Sequence, residues 1–132
     1  MIAVDTSALI AILANEPQGP SCRKIFEGEE LILVSAGTVL EASIVAAKRG
    51  LPKQMRTLLS AVTVKIIDVT PVRSELAAEA YINWGKGFHA ASLNFGDCFA
   101  YATACEFDCP LLFIGNDFSR TDIQSAIPTP AP

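Results

Sequence analysis

Four carboxylates stand where they could do chemistry together: Asp5, Glu41, Asp97 and Asp117. Asp5 follows the short apolar run Ile2-Ala3-Val4, and Asp117 closes Gly115-Asn116-Asp117 behind the apolar run Pro110 to Ile114. An acid directly behind an apolar strand occupies the place where open parallel sheets bind ligands, outside the carboxyl ends of the strands. Glu41 interrupts the apolar stretch Val39 to Ala47, and Asp97 stands among Cys98, Phe99, Ala100, Tyr101 and Ala102. A carboxylate in such surroundings is costly to bury without a partner. Each also has an ordinary explanation: Asp5 as a helix cap, Glu41 facing solvent, Asp97 complementing a helix dipole, Asp117 in a turn. Gathered in one cleft the four would repel strongly unless cations neutralised them, and an all-oxygen set suits Mg²⁺ or Mn²⁺, not zinc. Such ions generate hydroxide from bound water, orient it for in-line attack and stabilise the charge that develops on a phosphodiester.

The elements that must position these acids follow from hydrophobic spacing and punctuation. Ile2-Ala3-Val4 is a strand, and Asp5-Thr6-Ser7 supplies cap residues for the helical pattern Ala8 to Leu13. Pro17 to Ser21 breaks the chain before a second helix that ends near Gly28. Leu31 to Val34 is a buried strand, and Ser35 opens a helix through Arg49, closed by Gly50. Pro52 starts a helix, Thr63 to Val69 is a β-branched strand, and Thr70-Pro71 begins a helix that runs through Trp84. Gly85-Lys86-Gly87 stops it, Phe95 to Phe107 is helical, and Pro110 to Ile114 is the last strand. Strands that read as continuous apolar runs and alternate with helices predict an α/β protein, a three-layer α/β/α sandwich around a parallel sheet covered on both faces. One domain is expected over residues 1–125, with 126–132 as an extended proline-rich tail.

With 132 residues and 51% hydrophobic content, the chain suffices for one buried core. No apolar run approaches the roughly 20 residues that cross a bilayer, and nothing resembles a secretory signal, so no membrane is expected and the cytoplasm is the default location. Cys22, Cys98, Cys105 and Cys109 form no Cys-x-x-Cys pair and His89 is not at zinc-site spacing, so reduced, mostly buried thiols are expected. A net charge of −4 argues against a broad basic grip on nucleic acid. An RNA substrate must then be held locally, with metal help, and a basic protein partner suits the acidic balance.

The spacing and context of Met1-Ile2-Ala3-Val4-Asp5-Thr6-Ser7, of Glu41 in its apolar helix, of Leu93 to Ala102 and of Gly115-Asn116-Asp117-Phe118 resemble the PIN-domain ribonucleases, and among them the VapC toxins. The resemblance runs from Met1 to about Ile123, and the stretch around Asp97 is its most specific part. It implies that Asp5 and Asp97 ligate a metal directly, that Glu41 and Asp117 complete the acidic pocket directly or through water, and that Ser7 supports the ligands by hydrogen bonding. Asn116 stands where close relatives often carry another acid, and it would coordinate a metal without adding charge. The resemblance further implies cleavage of structured RNA, commonly tRNA or ribosomal RNA, to a 5′-phosphate and a 3′-hydroxyl. It implies a cognate VapB-like antitoxin as inhibitor, contact with DNA only through that antitoxin, and a homodimer.

Lys86, between glycines, and Arg120 are candidate contacts to RNA phosphates, although exposed loop cations are more often simply solvated. His89 is left out of the site, because a metal-bound hydroxide needs no separate base. Trp84 and Phe88 have base stacking as an alternative to core packing. The apolar faces of the first two helices, with Leu9, Ile12, Leu13, Ile25 and Phe26, are expected to cover the sheet, with a groove for an antitoxin helix as the alternative. A haloacid dehalogenase-like phosphatase needs a second aspartate two positions after the first, where Ser7 stands. A receiver domain gathers acids at strand ends, but it needs an adjacent acidic pair there and a lysine after a late strand, neither of which is found. A PIN-like fold kept as a binding module without activity is the remaining alternative.

Overall fold

The computed structural model describes residues 1–128. Its elements run β1 (Ile2–Val4), α1 (Thr6–Leu13), α2 (Gly19–Gly28), β2 (Ile32–Ser35), α3 (Ala36–Lys48), α4 (Pro52–Leu59), β3 (Val64–Ile67), α5 (Pro71–Trp84), α6 (Phe95–Glu106) and β4 (Leu111–Leu112). The strands form one parallel sheet in the order β3-β2-β1-β4. The chain lays down β1, β2 and β3 in one direction and then returns to place β4 on the free side of β1. The order therefore reverses beside β1, and a crevice opens at the carboxyl ends of β1 and β4.

Strand alternation sends successive side chains to opposite faces. Ile2, Val4, Ile32, Val34 and Leu112 pack with Leu9 and Ile12 of α1, Cys22 and Phe26 of α2, Ala42 and Ala46 of α3 and Met55 of α4. Ala3, Leu33, Ile67, Leu111 and Phe113 pack on the other face with Ala77 and Ala80 of α5 and Cys98, Tyr101 and Ala104 of α6. Two helical layers enclose the sheet, as the sequence predicts, and the apolar faces of α1 and α2 are spent on the core. Cys22, Cys98 and Cys109 are buried free thiols, and Cys105 is an exposed one. Among the described residues no helix is long and apolar enough to cross a membrane.

Two strands differ from expectation. β3 is an edge, and Lys65 and Ile66 in its middle are exposed, so its β-branched run is not covered on both faces. A charged edge residue of this kind discourages pairing with another sheet. β4 pairs over only two residues because the chain leaves β1 early: the Ile114 amide donates to Ser7 Oγ at 3.0 Å instead of to a strand partner. Ser125 bridges to Leu111, and Ala126 and Ile127 pack against the core, so the expected tail starts on packed residues. Residues 129–132, the rest of that tail, lie outside the described residues.

Candidate active site

Asp5, Glu41, Asp97 and Asp117 line one cleft of about 410 Å³ at the carboxyl ends of β1 and β4, together with Thr6, Ser7, Ile10, Glu16, Val45, Arg49, Ile114 and Gly115. Four separate elements deliver the acids. Asp5 is the residue on which β1 gives way to α1, and its capping role is real: Oδ2 accepts from the Ser7 amide at 3.0 Å and from Ser7 Oγ at 2.7 Å. The same Ser7 Oγ receives the Ile114 amide, so one hydroxyl ties Asp5 to the exit of β4. Oδ1 of Asp5 is buried and has no hydrogen-bond partner among the described residues. A buried carboxylate oxygen left bare in this way is a position that calls for a cation.

Asp97 belongs to a capping box at the start of α6. Its Oδ2 accepts from the Asn94 amide at 3.0 Å, while Asn94 Oδ1 accepts from the Asp97 amide at 2.9 Å. Glu41 does not face solvent: Thr6 Oγ1 donates to its Oε1 at 2.6 Å, and its other oxygen lies so close to Gly96 that a Cβ there would stand 1.9 Å from it. Asp117 sits on the exposed turn beyond β4, at the rim of the cleft. The ordinary roles of cap, box and turn therefore coexist with convergence on one cleft.

Burial pushes the carboxyl of Asp5 up from 3.8 to about 6, with repulsion from Glu41 adding to it and the Ser7 hydrogen bonds opposing it. Burial also raises Asp97 to about 7, reinforced by the charges of Asp5, Asp117 and Glu41. Both carboxyls hold protons more tightly in the folded chain than in the unfolded one, so they favour folding below about pH 4 and progressively less as pH rises through 6 and 7. The metal-free protein is thus expected to melt several degrees lower at about pH 8 than at about pH 5, on the order of a few kcal/mol of stability. Melting curves in chelator check this, and a divalent ion should recover the loss at the higher pH; a pH-independent melt would refute the raised proton affinity of the two carboxyls.

Among the described residues no three His, Cys, Asp or Glu side chains stand close enough to coordinate one ion as they are. The acids face a shared space without closing a cage. The donors nevertheless fit a hard cation: all are oxygens, Asp5 Oδ1 is buried and bare, and the two buried carboxyls are held against their neighbours' charge.

Other expected residues lie elsewhere. Asn116 is exposed and does not line the cleft; its carbonyl accepts from the Ser119 amide and hydroxyl. Lys86 and Arg120 are exposed and away from the cleft lining, and Arg120 donates to the Ala90 carbonyl at 3.4 Å. His89 packs edge-on against Trp84, and its Nδ1 accepts from the Ala91 amide. Phe88 is exposed beside Tyr81. Sequence reasoning missed Thr6, Gly96, Glu16 and Arg49. One signal was available for Arg49: it follows Glu41 and Val45 at steps of four, which places all three on one side of α3 and its C-terminal cap.

The model of the PIN domain matches residues 2–124. Ribonuclease VapC30 of Mycobacterium tuberculosis is 37% identical over 127 residues, covering 94% of this chain and 97% of that protein. The crystal structure of VapC20 from M. tuberculosis, described as a sarcin-ricin loop cleaving toxin, superposes with a TM-score of 0.79 at 17% identity, covering 97% of this chain and 100% of that one. A toxin-antitoxin complex from Klebsiella pneumoniae gives a TM-score of 0.71 at 20% identity, covering 92% of this chain and 93% of that one. With the sheet order, the acid cleft and a relative matched along nearly its full length, the chain belongs to the PIN-domain family, among the VapC ribonucleases.

Proposed function

We propose that this chain is the toxin of a toxin–antitoxin pair, a divalent-metal-dependent endoribonuclease that cuts structured RNA of the tRNA or ribosomal class. The observation that carries the reading is the delivery of four acids by four elements to one cleft, with the buried Asp5 Oδ1 left without a partner among the described residues. Asp5 and Asp97 would hold Mg²⁺ or Mn²⁺ directly, and Glu41 and Asp117 directly or through water. A bound divalent ion supplies Lewis-acid activation of water and offsets charge on the phosphodiester.

The chain's own residues supply position. Ser7 fixes one oxygen of Asp5, the Asn94 amide fixes one of Asp97, and Thr6 fixes one of Glu41. Each carboxylate is thereby pre-set at low conformational freedom, with its other oxygen left over for the ion or its water. Attack by water on phosphorus with departure of O3′ leaves a 5′-phosphate and a 3′-hydroxyl.

Membership among the VapC ribonucleases supports a VapB-like antitoxin as partner, with DNA reached only through it. Free thiols agree with a cytoplasmic setting. The proposed homodimer has apolar surface available, since Phe95, Leu40 and Ile44 are exposed and border one groove. The test is incubation of the purified chain with total RNA in Mg²⁺, in Mn²⁺ and in chelator, with mapping of 5′-phosphate ends. Discrete cuts that vanish in chelator are expected. Absence of cuts together with no ion binding by calorimetry would leave a binding module instead.

A further inference from the structure

Among the described residues lining the acidic cleft, Arg49 is the one cation, set against Asp5, Glu16, Glu41, Asp97 and Asp117. It caps α3 from beyond Lys48, and its guanidinium crosses to Glu16 in the connection between α1 and α2, Nη1 to Oε1 at 3.3 Å. That contact is thin. One nitrogen of the fork is used, and the two side chains remain 50% and 39% exposed. Arg73 shows what a structural arginine looks like in this fold: Nε and Nη2 both reach Glu106, and Nη1 takes the Asp68 carbonyl. Arg49 keeps most of its donors unspent at the mouth of a cleft whose other charges repel a polyanion.

We propose that Arg49 binds a backbone phosphate of RNA next to the scissile one, and that Glu16 holds the guanidinium at the cleft mouth until RNA displaces it. The proposal rests on the ribonuclease reading above. A guanidinium matches a phosphate with two parallel N–H donors, a geometry that its single contact to Glu16 leaves open. Chain charge supports the assignment: at a net charge of −4 the protein has no general attraction for RNA, so a cation inside the site carries disproportionate weight. Neither Lys86 nor Arg120 lines the cleft to share the task.

The two ends of the ion pair are predicted to act in opposite senses. With an RNA hairpin first shown to be cut by the unaltered chain, initial rates are measured over a range of salt for Arg49→Gln, Arg49→Lys and Glu16→Gln. Arg49→Gln should raise KM roughly tenfold, by more than it lowers kcat, as loss of one charge-assisted contact predicts. Its salt dependence should fall by about 0.7 to 1 in the logarithmic slope, one phosphate fewer. Arg49→Lys should recover part of the KM, since it keeps the charge and loses the fork. Glu16→Gln should lower KM several-fold by releasing the arginine. A half-exposed pair contributes little to folding, so both ends tolerate substitution. If the pair is merely structural, Arg49→Gln and Glu16→Gln move KM in the same direction or not at all, and either result overturns the proposal while leaving the ribonuclease standing. An unaltered chain that cuts no RNA in any ion overturns both.

Discussion

Asparagine at position 97 is expected to destroy cleavage and, in the same protein, to raise the melting temperature of the metal-free state. The two effects share one cause. Asp97 is buried, its carboxyl is raised to about 7, and the charges of Asp5, Asp117 and Glu41 all press on it. The amide removes that charge yet retains an oxygen able to accept from the Asn94 amide, so the start of α6 keeps its cap. In chelator at about pH 8 the variant should gain on the order of 1 to 3 kcal/mol, because a carboxylate pushed upward by burial weakens the fold wherever it is ionised. Cleavage in Mg²⁺ or Mn²⁺ should fall on the order of a hundredfold to a thousandfold, the scale of losing one preorganised charged group. Such an exchange of stability for activity is common where sites gather like charges. Differential scanning calorimetry beside a cleavage assay reads both. A variant that is destabilised in chelator would show that Asp97 serves the fold first.

Alanine at position 96 should have the second largest effect, through a residue that carries no chemistry of its own. Its Cβ would lie 1.9 Å from one Glu41 oxygen and 2.5 Å from the carboxyl carbon. The flexible end of Glu41 can swing away, so the backbone need not move, but it then leaves the Thr6 hydroxyl and the cleft. Misplacing a catalytic group by about an ångström costs on the order of a hundredfold in rate, and that loss is expected here. Stability should hold or rise slightly, since alanine is favoured over glycine inside a helix by roughly 1 kcal/mol. Full activity in Gly96→Ala, with an unchanged melting temperature, would remove Glu41 from the reaction.

Much of this architecture is written locally. Asp5, Ser35 and Thr70 each announce a helix by capping it, Pro52 and Pro71 occupy first turns, and the apolar runs Ile2 to Val4 and Ile32 to Val34 are buried, with Leu31 left exposed at the entry to β2. The four acids were legible because each follows a strand or interrupts an apolar helix. What escaped is long-range. Thr6 and Glu41 are 35 residues apart, and Arg49 and Glu16 are 33 apart, so no window of sequence contains either pair. Gly96 read as part of a motif, but its purpose is a close approach of α3 to α6 that only the packed structure displays. The short β4 has a similar origin, because the serine that ends its pairing belongs to the opposite end of the chain.

That serine links the first and last thirds of the chain, and the consequence is one of timing. A polypeptide emerging from the ribosome carries Asp5 and Glu41 early, and domains fold as units as synthesis proceeds from the N-terminus. Strand β4, and the turn that brings Asp117 to the rim, come after every other described strand and helix has been made. Until then Ser7 has no Ile114 amide to hold, and the cleft lacks a wall as well as Asp117. The cleft is therefore completed by the last of the described strands to be synthesised, and a chain arrested before β4 holds only part of it.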